Sequence, residues 1–204
     1  MLISMLTLIL FQQVAVAGTK YWVQAKENTY HYGCSSDIYV NYPNPRVDLV
    51  KVTAVWATRT DEASFTEVGH AWMSNGDSPN AFWAYRNNWA YTMSPELDSV
   101  TPNTYVRYHC GYDYSSNLHY MWVKGNIVKS VSIPNMTTCW PVTNAEREVG
   151  SDPYCDNLAC FKTLKFKNYA WGSWSDWAGS NLWYDNDQLY SNSYVSATHV
   201  DVVR

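Results

Sequence analysis

The sequence alternates apolar and polar residues with a period of two, and this pattern constrains the fold more than any other feature. In residues 46–58, RVDLVKVTAVWAT, apolar side chains recur at Val50, Val52, Ala54 and Trp56, which is typical of a strand with a buried face. Turn-forming residues interrupt such stretches every roughly 10 to 15 residues, and no segment has a 3.6-residue period. We therefore expect an all-β chain folded as an antiparallel sandwich or barrel; the two-sheet sandwich is the form that we predict, on the resemblance described below.

The stretch SFTEVGHAWM repeats the alternation and carries two polar residues within it. Glu67 and Gly69 fall on one face, and Val68, His70 and Trp72 fall on the other. Because His70 shares its face with apolar residues, we expect a packed, hydrogen-bonded imidazole there.

Residues 104–130, TYVRYHCGYDYSSNLHYMWVKGNIVKS, read as a strand, a loop, and then two strands joined by a tight turn. Gly125-Asn126 supplies the residues that such a turn needs at its tip. This arrangement resembles the concanavalin A-like jelly rolls of lectins and glucanases, over residues 46–170. The resemblance implies a jelly-roll fold.

The resemblance does not supply a known catalytic motif. The glucanases of this superfamily carry a Glu-x-Asp-x-x-Glu strand, which this sequence lacks. The glutamic peptidases of similar architecture need a Gln and a Glu on neighbouring strands. Beyond the N-terminal segment the only glutamines are Gln24 and Gln188, and we expect neither to lie in a matching strand.

The N-terminal segment, residues 1–17, is MLISMLTLILFQQVAVA and has no charged side chain. Its short apolar run and the small-residue site Ala15-Val16-Ala17 predict a signal peptide and a secreted, extracellular protein. Residues 18–204 would then form a single β-sandwich domain. The alternatives are a buried strand and an uncleaved anchor, although a stable membrane span needs about 20 apolar residues.

Composition restricts the partners. Charged residues are only 16% of the chain, the net charge is −4, and no basic cluster occurs, so we expect no nucleic-acid partner. The 17 Tyr and 11 Trp greatly outnumber the 5 Phe. Since Tyr and Trp combine an apolar ring with a polar group, this bias favours a surface that both packs and hydrogen-bonds. The sequence carries no signal for an oligomeric state.

The cysteines predict disulfides rather than a metal site. Five occur in the chain: Cys34, Cys110, Cys139, Cys155 and Cys160. In an oxidising compartment we expect two bridges and one free thiol. Cys155 and Cys160 could close the short loop CDNLAC, and the second bridge would come from the other three. No Cys-x-x-Cys pair is present, so no zinc site is predicted. Calcium is the one cofactor considered, because Asp185-Asn186-Asp187 offers hard oxygen ligands.

Three glutamates lie within strand-like patterns in a chain where charge is scarce. Glu146 and Glu148 would share a strand face, with Arg147 on the other. If Glu67 came from a facing strand, Glu67 and Glu146 could act as the acid and the base or nucleophile of a hydrolase. The alternative is that these glutamates face solvent or pair with Arg147.

The most unusual segment is residues 169–181, YAWGSWSDWAGSN, which has tryptophans at 171, 174 and 177 among glycines and serines. This composition predicts a loop, which would either close one end of the core or form a shelf on which sugar rings stack. The candidate ligand contacts are Trp174, Trp177, Trp183, Tyr184, Asp185 and Asp187.

The sequence as a whole favours a binding module for extracellular carbohydrate or a cell-surface ligand. The first alternative is a secreted hydrolase, either a glycosidase or a glutamic-type peptidase, with Glu67 and Glu146 as its catalytic pair. The second is a structural or interaction protein without a small ligand.

Overall fold

The computed structural model is all-β and consists of two antiparallel sheets. It describes residues 19–27, 29–41, 48–73, 78–94, 97–149, 159–169, 172–177, 180–184 and 191–203. The strands are β1 (Thr19–Glu27), β2 (Gly33–Tyr39), β3 (Asp48–Thr58), β4 (Phe65–Met73), β5 (Asn80–Asn87), β6 (Ala90–Met93), β7 (Tyr105–Asp113), β8 (Leu118–Val123), β9 (Asn126–Val131), β10 (Trp140–Val149), β11 (Ala159–Lys167), β12 (Trp174–Asp176), β13 (Ser180–Tyr184), β14 (Ser191–Ser196) and β15 (His199–Val203).

The seven-stranded sheet has the order β13-β1-β10-β3-β4-β5-β6. The eight-stranded sheet has the order β14-β15-β11-β2-β7-β8-β9, and β12 pairs with β11 beside this path. The predicted fold class, an antiparallel two-sheet sandwich, is therefore confirmed. The described residues contain no helix of the length and apolarity that a membrane span requires.

The core lies between the sheets and follows the alternation along each strand. In β3, Val55 and Ala57 are fully buried and belong to the large core cluster. Ala54 and Trp56 point the other way, into a second and smaller apolar cluster on the outer face of the seven-stranded sheet. Both faces of β3 are thus covered, although the sequence pattern indicated only one.

The eight-stranded sheet contributes the other half of the core. Its inward-facing residues include Ile38, Tyr108, Met121 and Phe161, none of which is exposed. His70 reaches this layer from β4, and its Nδ1 lies 3.2 Å from the hydroxyl oxygen of Tyr108. The prediction of a packed, hydrogen-bonded His70 is therefore confirmed.

The predicted hairpin between β8 and β9 is present, but its turn lies one residue earlier than expected. Val123 pairs with Asn126, so the two central residues are Lys124 and Gly125. Both have positive φ, 53° and 82°, as a type I′ turn requires. Glycine tolerates this conformation without strain, and Lys124 adopts it because the twist of the flanking strands demands it.

Candidate functional site

A recess on the outer face of the seven-stranded sheet combines acidic, basic and aromatic side chains. We call this recess the hollow. Its cavity has a volume of about 60 Å³ and is lined by Val52, Trp56, Phe65, Glu67, Phe82, Arg86, Tyr91, Met93, Asn144 and Glu146. These residues come from β3, β4, β5, β6 and β10, so the hollow exists only when the sheet is assembled.

Small residues let β3 and β4 approach each other closely between the residues that line the hollow. Ala54 and Gly69 are paired across β3 and β4. A Cβ at Gly69 would collide with the carbonyl oxygen of Thr53 and lie 2.6 Å from the Cα of Ala54. Only glycine permits this close approach of two backbones.

The hollow brings together Glu67 and Glu146, the two glutamates that the sequence suggested as a pair. Glu67 on β4 pairs with Trp56 of β3, whereas Glu146 on β10 pairs with Val52. The two acids thus face each other diagonally across β3, on the same face of the sheet. Glu67 is only 6% exposed, and Glu146 is half-buried. Their roles as catalytic groups stay a prediction.

Electrostatic effects in the hollow are strong because its charged groups are partly removed from water. Burial raises the pKa of the Tyr91 phenol, and the negative charges of Glu67 and Glu146 raise it further, against the opposing charge of Arg86. Tyr91 therefore remains a neutral hydrogen-bond donor over the physiological pH range. Both carboxylates are therefore close enough to the Tyr91 hydroxyl group to raise its pKa.

Arg86 is the cation of the hollow and is 3% exposed. Burial lowers the pKa of its guanidinium, while Tyr91, Glu62 and Glu67 raise it. Its Nη1 donates a hydrogen bond to the carbonyl oxygen of Glu62 at 3.3 Å, and its guanidinium lies 4.9 Å from the centre of the Phe65 ring. The side chain is thus held in place from two sides.

Two buried N–H donors in the wall of the hollow find no acceptor among the described residues. They are Nε of Arg86 and Nε1 of Trp56. A buried donor without an acceptor is unfavourable by about 1–3 kcal/mol, and such groups mark sites where water or a ligand supplies the missing oxygen.

An amide pair lies next to Glu146. Nε2 of Gln24 donates to Oδ1 of Asn144 at 3.1 Å, and both side chains are buried. Gln24 is on β1, which pairs directly with β10. The expectation that no glutamine lies on a strand beside a glutamate was therefore wrong. It failed because β1, the first strand of the chain, is inserted next to β10, a long-range pairing with no local signal.

The tryptophan segment divides between the core and the surface. Trp177 is 1% exposed and belongs to the main core, so its prediction as a ligand contact was wrong. Trp174 is half-buried and stacks on His109 with ring centres 5.4 Å apart. Trp183 and Tyr184 lie in β13, but their side chains are outside the described residues, as are Asp185 and Asp187 altogether.

Trp174 is part of an aromatic platform on the outer face of the eight-stranded sheet. The platform consists of Trp174, His109, Trp122 and Tyr120, all of them half-buried. The ring of His109 meets Trp122 edge-on at 4.2 Å, and Trp122 lies 5.5 Å from Tyr120. Burial lowers the pKa of His109 to about 4, helped by the charges of Arg107 and Lys167, so its ring is neutral at neutral pH.

The predicted disulfides are not supported by the described residues. Cys34, Cys110, Cys139 and Cys160 are all free thiols, so a bridge within the first three was a wrong prediction. Cys34 and Cys110 are opposite each other on β2 and β7. Their thiols instead contact backbone carbonyl oxygens, at Val142 for Cys34 and at Thr66 for Cys110. Cys155, the predicted partner of Cys160, lies outside the described residues.

A larger cavity of about 450 Å³ lies at one end of the sandwich, between the segment that follows β6 and the β8–β9 hairpin. Its lining includes one carboxylate, Asp98, and one amine, Lys124, among mostly apolar residues. The volume is sufficient for a small ligand, but the cavity lacks a second acid or a buried ionisable group. The hollow is therefore the better candidate for chemistry.

The two acids of the hollow are predictable from the sequence, whereas Arg86, Tyr91 and Gln24 were not predicted as site residues. Strand alternation in residues 80–87 would have placed Arg86 on the same face as Phe82 and Ala84. A charged residue on an otherwise apolar strand face indicates a candidate site residue. Tyr91 and Gln24 carry no such signal, because their positions depend on the pairing of β6 with β5 and of β1 with β10.

The sequence matches no protein-family model and none of the curated proteins. The fold is similar to that of Scytalido-glutamic peptidase bound to a peptide-based transition-state analogue, with a TM-score of 0.59 and 13% identity over 92% of this chain and 99% of that one. It is also similar to SCP-B, a member of the Eqolisin family of peptidases, in complex with the tripeptide Ala-Ile-His. That likeness has a TM-score of 0.55 and 14% identity over 92% and 98% of the two chains.

A Bacillus licheniformis β-glucanase has a TM-score of 0.44 and 12% identity over 94% of this chain and 81% of the glucanase. At these identities the similarities establish the fold alone. The two-sheet antiparallel fold that the concanavalin A-like resemblance implied is confirmed at that level by the two peptidases, whose TM-scores exceed 0.5.

Proposed function

We propose that this protein is a hydrolase and that Glu67 and Glu146 are its catalytic acid and base. The observation that supports this most directly is their convergence, from β4 and β10, on one small cavity with otherwise mostly apolar walls. Removing two carboxylates partly from water is unfavourable for stability. Such arrangements are concentrated at sites that need perturbed acids and bases.

The unequal burial of the two acids suggests which of them is the general acid and which is the general base. Burial disfavours the charged form of a carboxyl group, so we assign the more buried acid, Glu67, at 6% exposed, as the group that donates a proton once acidic pH has protonated it. Glu146 is nearer to solvent and would remove a proton from the attacking water. Glu67 would then protonate the leaving group, so that one proton is taken up and one is released at each turnover.

The spacing of the strands favours direct attack by water. β10 and β4 lie on either side of β3, and Glu146 and Glu67 oppose residues four positions apart on it, Val52 and Trp56. Two strand spacings of about 4.8 Å and four residues of about 3.3 Å place the two Cα atoms about 16 Å apart. A retaining glycosidase needs its carboxyl groups only about 5 Å apart. The cavity of about 60 Å³ has room for at least one water molecule, whereas the substrate itself would lie across the open side of the hollow.

Three polar features favour a peptide over a sugar as the substrate. Gln24 and Asn144 form an amide pair beside Glu146, which resembles the Gln and Glu on neighbouring strands that glutamic peptidases need. The buried Nε of Arg86 and Nε1 of Trp56 find no acceptor among the described residues. The carbonyl oxygen of a peptide bond, which becomes negative in the tetrahedral intermediate, is the kind of acceptor that such donors stabilise.

The test is cleavage of a mixed peptide library by the wild type and by Glu67→Gln and Glu146→Gln, at acidic and neutral pH. Both variants retain side-chain shape, and we expect each to lower kcat/KM by about 100-fold or more. Asp176→Asn is the matched control, because Asp176 forms a surface ion pair with Lys165 on the other sheet. Its activity should equal that of the wild type.

Two results would reject the peptidase proposal. One is a wild-type protein that releases no product from the peptide library. The other is equal activity in wild type, Glu67→Gln and Glu146→Gln with the fold intact by far-ultraviolet circular dichroism. A panel of polysaccharides assayed in parallel would reveal the glycosidase alternative, with cleavage that also disappears in both variants.

The aromatic platform supports carbohydrate binding as a second candidate function. Trp174 and Trp122 flank His109 on the outer face of the eight-stranded sheet, and aromatic planes of this kind suit the C–H faces of sugar rings. We expect Trp174→Ala to weaken retention in affinity electrophoresis on a polysaccharide, while Tyr114→Ala, an exposed residue outside the platform, leaves it unchanged. Equal retention of both variants would contradict this role.

We also propose that the protein is exported, with residues 1–17 as a signal peptide and residues 18–204 as the mature domain. The support is the uncharged apolar segment and its small-residue cleavage site. N-terminal sequencing of protein recovered from the medium should begin at Gly18. Intact protein that starts at Met1 and stays inside the cell would contradict export.

A further inference from the structure

Cys160, His199 and Asp201 form a compact cluster on the outer face of the eight-stranded sheet, on the side opposite to the hollow. Cys160 on β11 pairs directly with Asp201 on β15. His199 is two residues before Asp201 on the same strand, so it projects from the same face. Two paired strands therefore position all three side chains without the help of a loop.

The distances within the cluster are those of ligands around one metal ion. Sγ of Cys160 is 3.5 Å from Nε2 of His199, and that nitrogen is 3.0 Å from Oδ1 of Asp201. The three ligand atoms all lie within 4.8 Å of one another. Around a tetrahedral zinc ion with bonds of about 2.0 to 2.3 Å, the sulfur–nitrogen separation is about 3.6 Å and the nitrogen–oxygen separation about 3.3 Å.

The orientation of His199 argues against a nucleophile–base–acid relay. In such a relay the two ring nitrogens have different partners, one the nucleophile and the other the carboxylate. Here Cys160 and Asp201 both approach the same atom, Nε2. A proton on Nε2 would have to be shared between sulfur and carboxylate. A cation at the point where the three atoms converge would instead give each of them a full bond.

Among the described residues, only these three side chains offer ligand atoms that converge at this point, which leaves a fourth coordination position for another group. The hydroxyl group of Tyr105 is 3.3 Å from Sγ of Cys160, and Tyr105 is 43% exposed, so either the phenol or water can reach the site. Lys162 is a neighbouring cation, with its amine 4.7 Å from the centre of the Tyr105 ring. A hydrogen bond with Tyr105 raises the pKa of this amine, and solvent screens its repulsion of a metal.

We propose that Cys160, His199 and Asp201 bind one divalent ion of the zinc class, with an open fourth position. A thiolate and an imidazole select zinc or cobalt over calcium and magnesium, which prefer oxygen ligands. The thiolate and carboxylate neutralise the two positive charges of the ion. Three protein ligands with an exchangeable fourth position are the arrangement of zinc sites that bind or activate a further molecule.

The experiment is a titration of the full-length, reduced protein with Co²⁺, followed by optical absorption. We expect a sulfur-to-cobalt charge-transfer band that saturates at one ion per chain and disappears when Zn²⁺ is added. Because Cys34, Cys110 and Cys139 are buried in the core, the band can come only from Cys160 or Cys155, and Cys155→Ser should leave it unchanged. Cys160→Ser should abolish it, and His199→Gln and Asp201→Asn should each weaken Co²⁺ binding about tenfold or more.

Asp176→Asn serves as the matched control, since it removes a carboxylate from a surface ion pair on the same sheet and should leave the titration unchanged. Three results would overturn the proposal. The first is the absence of the band in folded, reduced wild type, and the second is an unchanged band in Cys160→Ser. The third is a Cys155–Cys160 disulfide, found by peptide mapping of unreduced protein, because it would consume the thiol.

Discussion

The outer faces of the two sheets handle charge in opposite ways. On the eight-stranded sheet, Asp37 and Arg107 are directly opposite each other on β2 and β7, and they form a two-pronged ion pair that is partly exposed. In the hollow of the seven-stranded sheet, Glu67 and Arg86 are 6% and 3% exposed and lie in an apolar cluster. One face pairs its charges near water, and the other removes them from water.

This difference indicates where chemistry is concentrated. An ion pair between directly opposite residues near water has a small desolvation cost, and it contributes modestly to the stability of the sheet. Charged groups set among Trp56, Phe65 and Phe82 are unfavourable for stability, and folds retain such arrangements chiefly where function requires them. The comparison therefore supports the hollow, rather than the eight-stranded sheet, as the catalytic candidate.

The largest effect that we expect concerns the inner faces, where each sheet contributes a buried histidine. Burial lowers the pKa of His70 to about 3, with a further contribution from Lys51, and burial lowers that of His119 to about 4. Both values are below the unfolded value of 6.5, so the unfolded chain binds more protons at acidic pH. The contribution of the two neutral histidines to the free energy of unfolding is fully present above pH 6.5. It decreases as the pH falls toward 4, by about 1.4 kcal/mol per pH unit and per histidine.

The measurement is the free energy of unfolding in urea as a function of pH for wild type, His70→Phe and His119→Phe. Each variant should lose less stability on acidification than the wild type. A wild-type stability that is constant from pH 6.5 to 4, or identical slopes in all three proteins, would contradict the assignment of these histidines as buried and neutral.

The next effect compares one glycine of each sheet, Gly69 on β4 of the seven-stranded sheet and Gly111 on β7 of the eight-stranded sheet. Gly69→Ala forces a Cβ against the backbone of β3 and should lower the free energy of unfolding by about 3 kcal/mol or more. A Cβ at Gly111, on β7, would lie 2.9 Å from the carbonyl oxygen of Tyr32 and 3.3 Å from the Cα of Gly33. Gly111→Ala should therefore be milder, by about 1 to 2 kcal/mol.

Chemical denaturation of the two alanine variants tests this order directly. If Gly69→Ala is as stable as the wild type, β3 and β4 are not in close backbone contact at Gly69, and glycine is not required there.

The smallest effect concerns the two acids on the outer faces of the sheets, Asp37 and Glu67. Burial opposes ionisation of Asp37, but hydrogen bonds from Arg107 and Thr163 and the charge of Arg107 outweigh it and lower its pKa. Asp37→Asn should therefore lower stability, by about 1 kcal/mol for a partly exposed pair. Glu67→Gln removes a desolvated charge and should leave stability unchanged or raise it slightly.

Thermal denaturation of both variants at neutral pH distinguishes a structural acid from a functional one. A melting temperature that falls more for Glu67→Gln than for Asp37→Asn would indicate that Glu67 serves the fold, and it would remove the main argument for the hollow as a catalytic site.

The alternation of side chains along β3 and β4 was readable without coordinates, and it correctly grouped Glu67 with Gly69 and His70 with Val68. The same reasoning failed for Trp177, because a tryptophan among glycines and serines resembles a surface loop, whereas neighbouring strands cover this one. It also failed for Cys34 and Cys110, since cysteine content indicates the redox chemistry that is available and says nothing about where each thiol points.

Antiparallel strands follow from local patterns in the chain, because a period of two and the turn residues between strands are local properties. The scarcity of charge likewise identifies the acids that could take part in catalysis. The identity of neighbouring strands depends instead on the complete fold: β1 beside β10, β3 between Glu67 and Glu146, and β11 beside β15. These pairings join residues more than 100 positions apart in the case of β1 and β10, where the choice depends on burying the whole sheet rather than on any short segment.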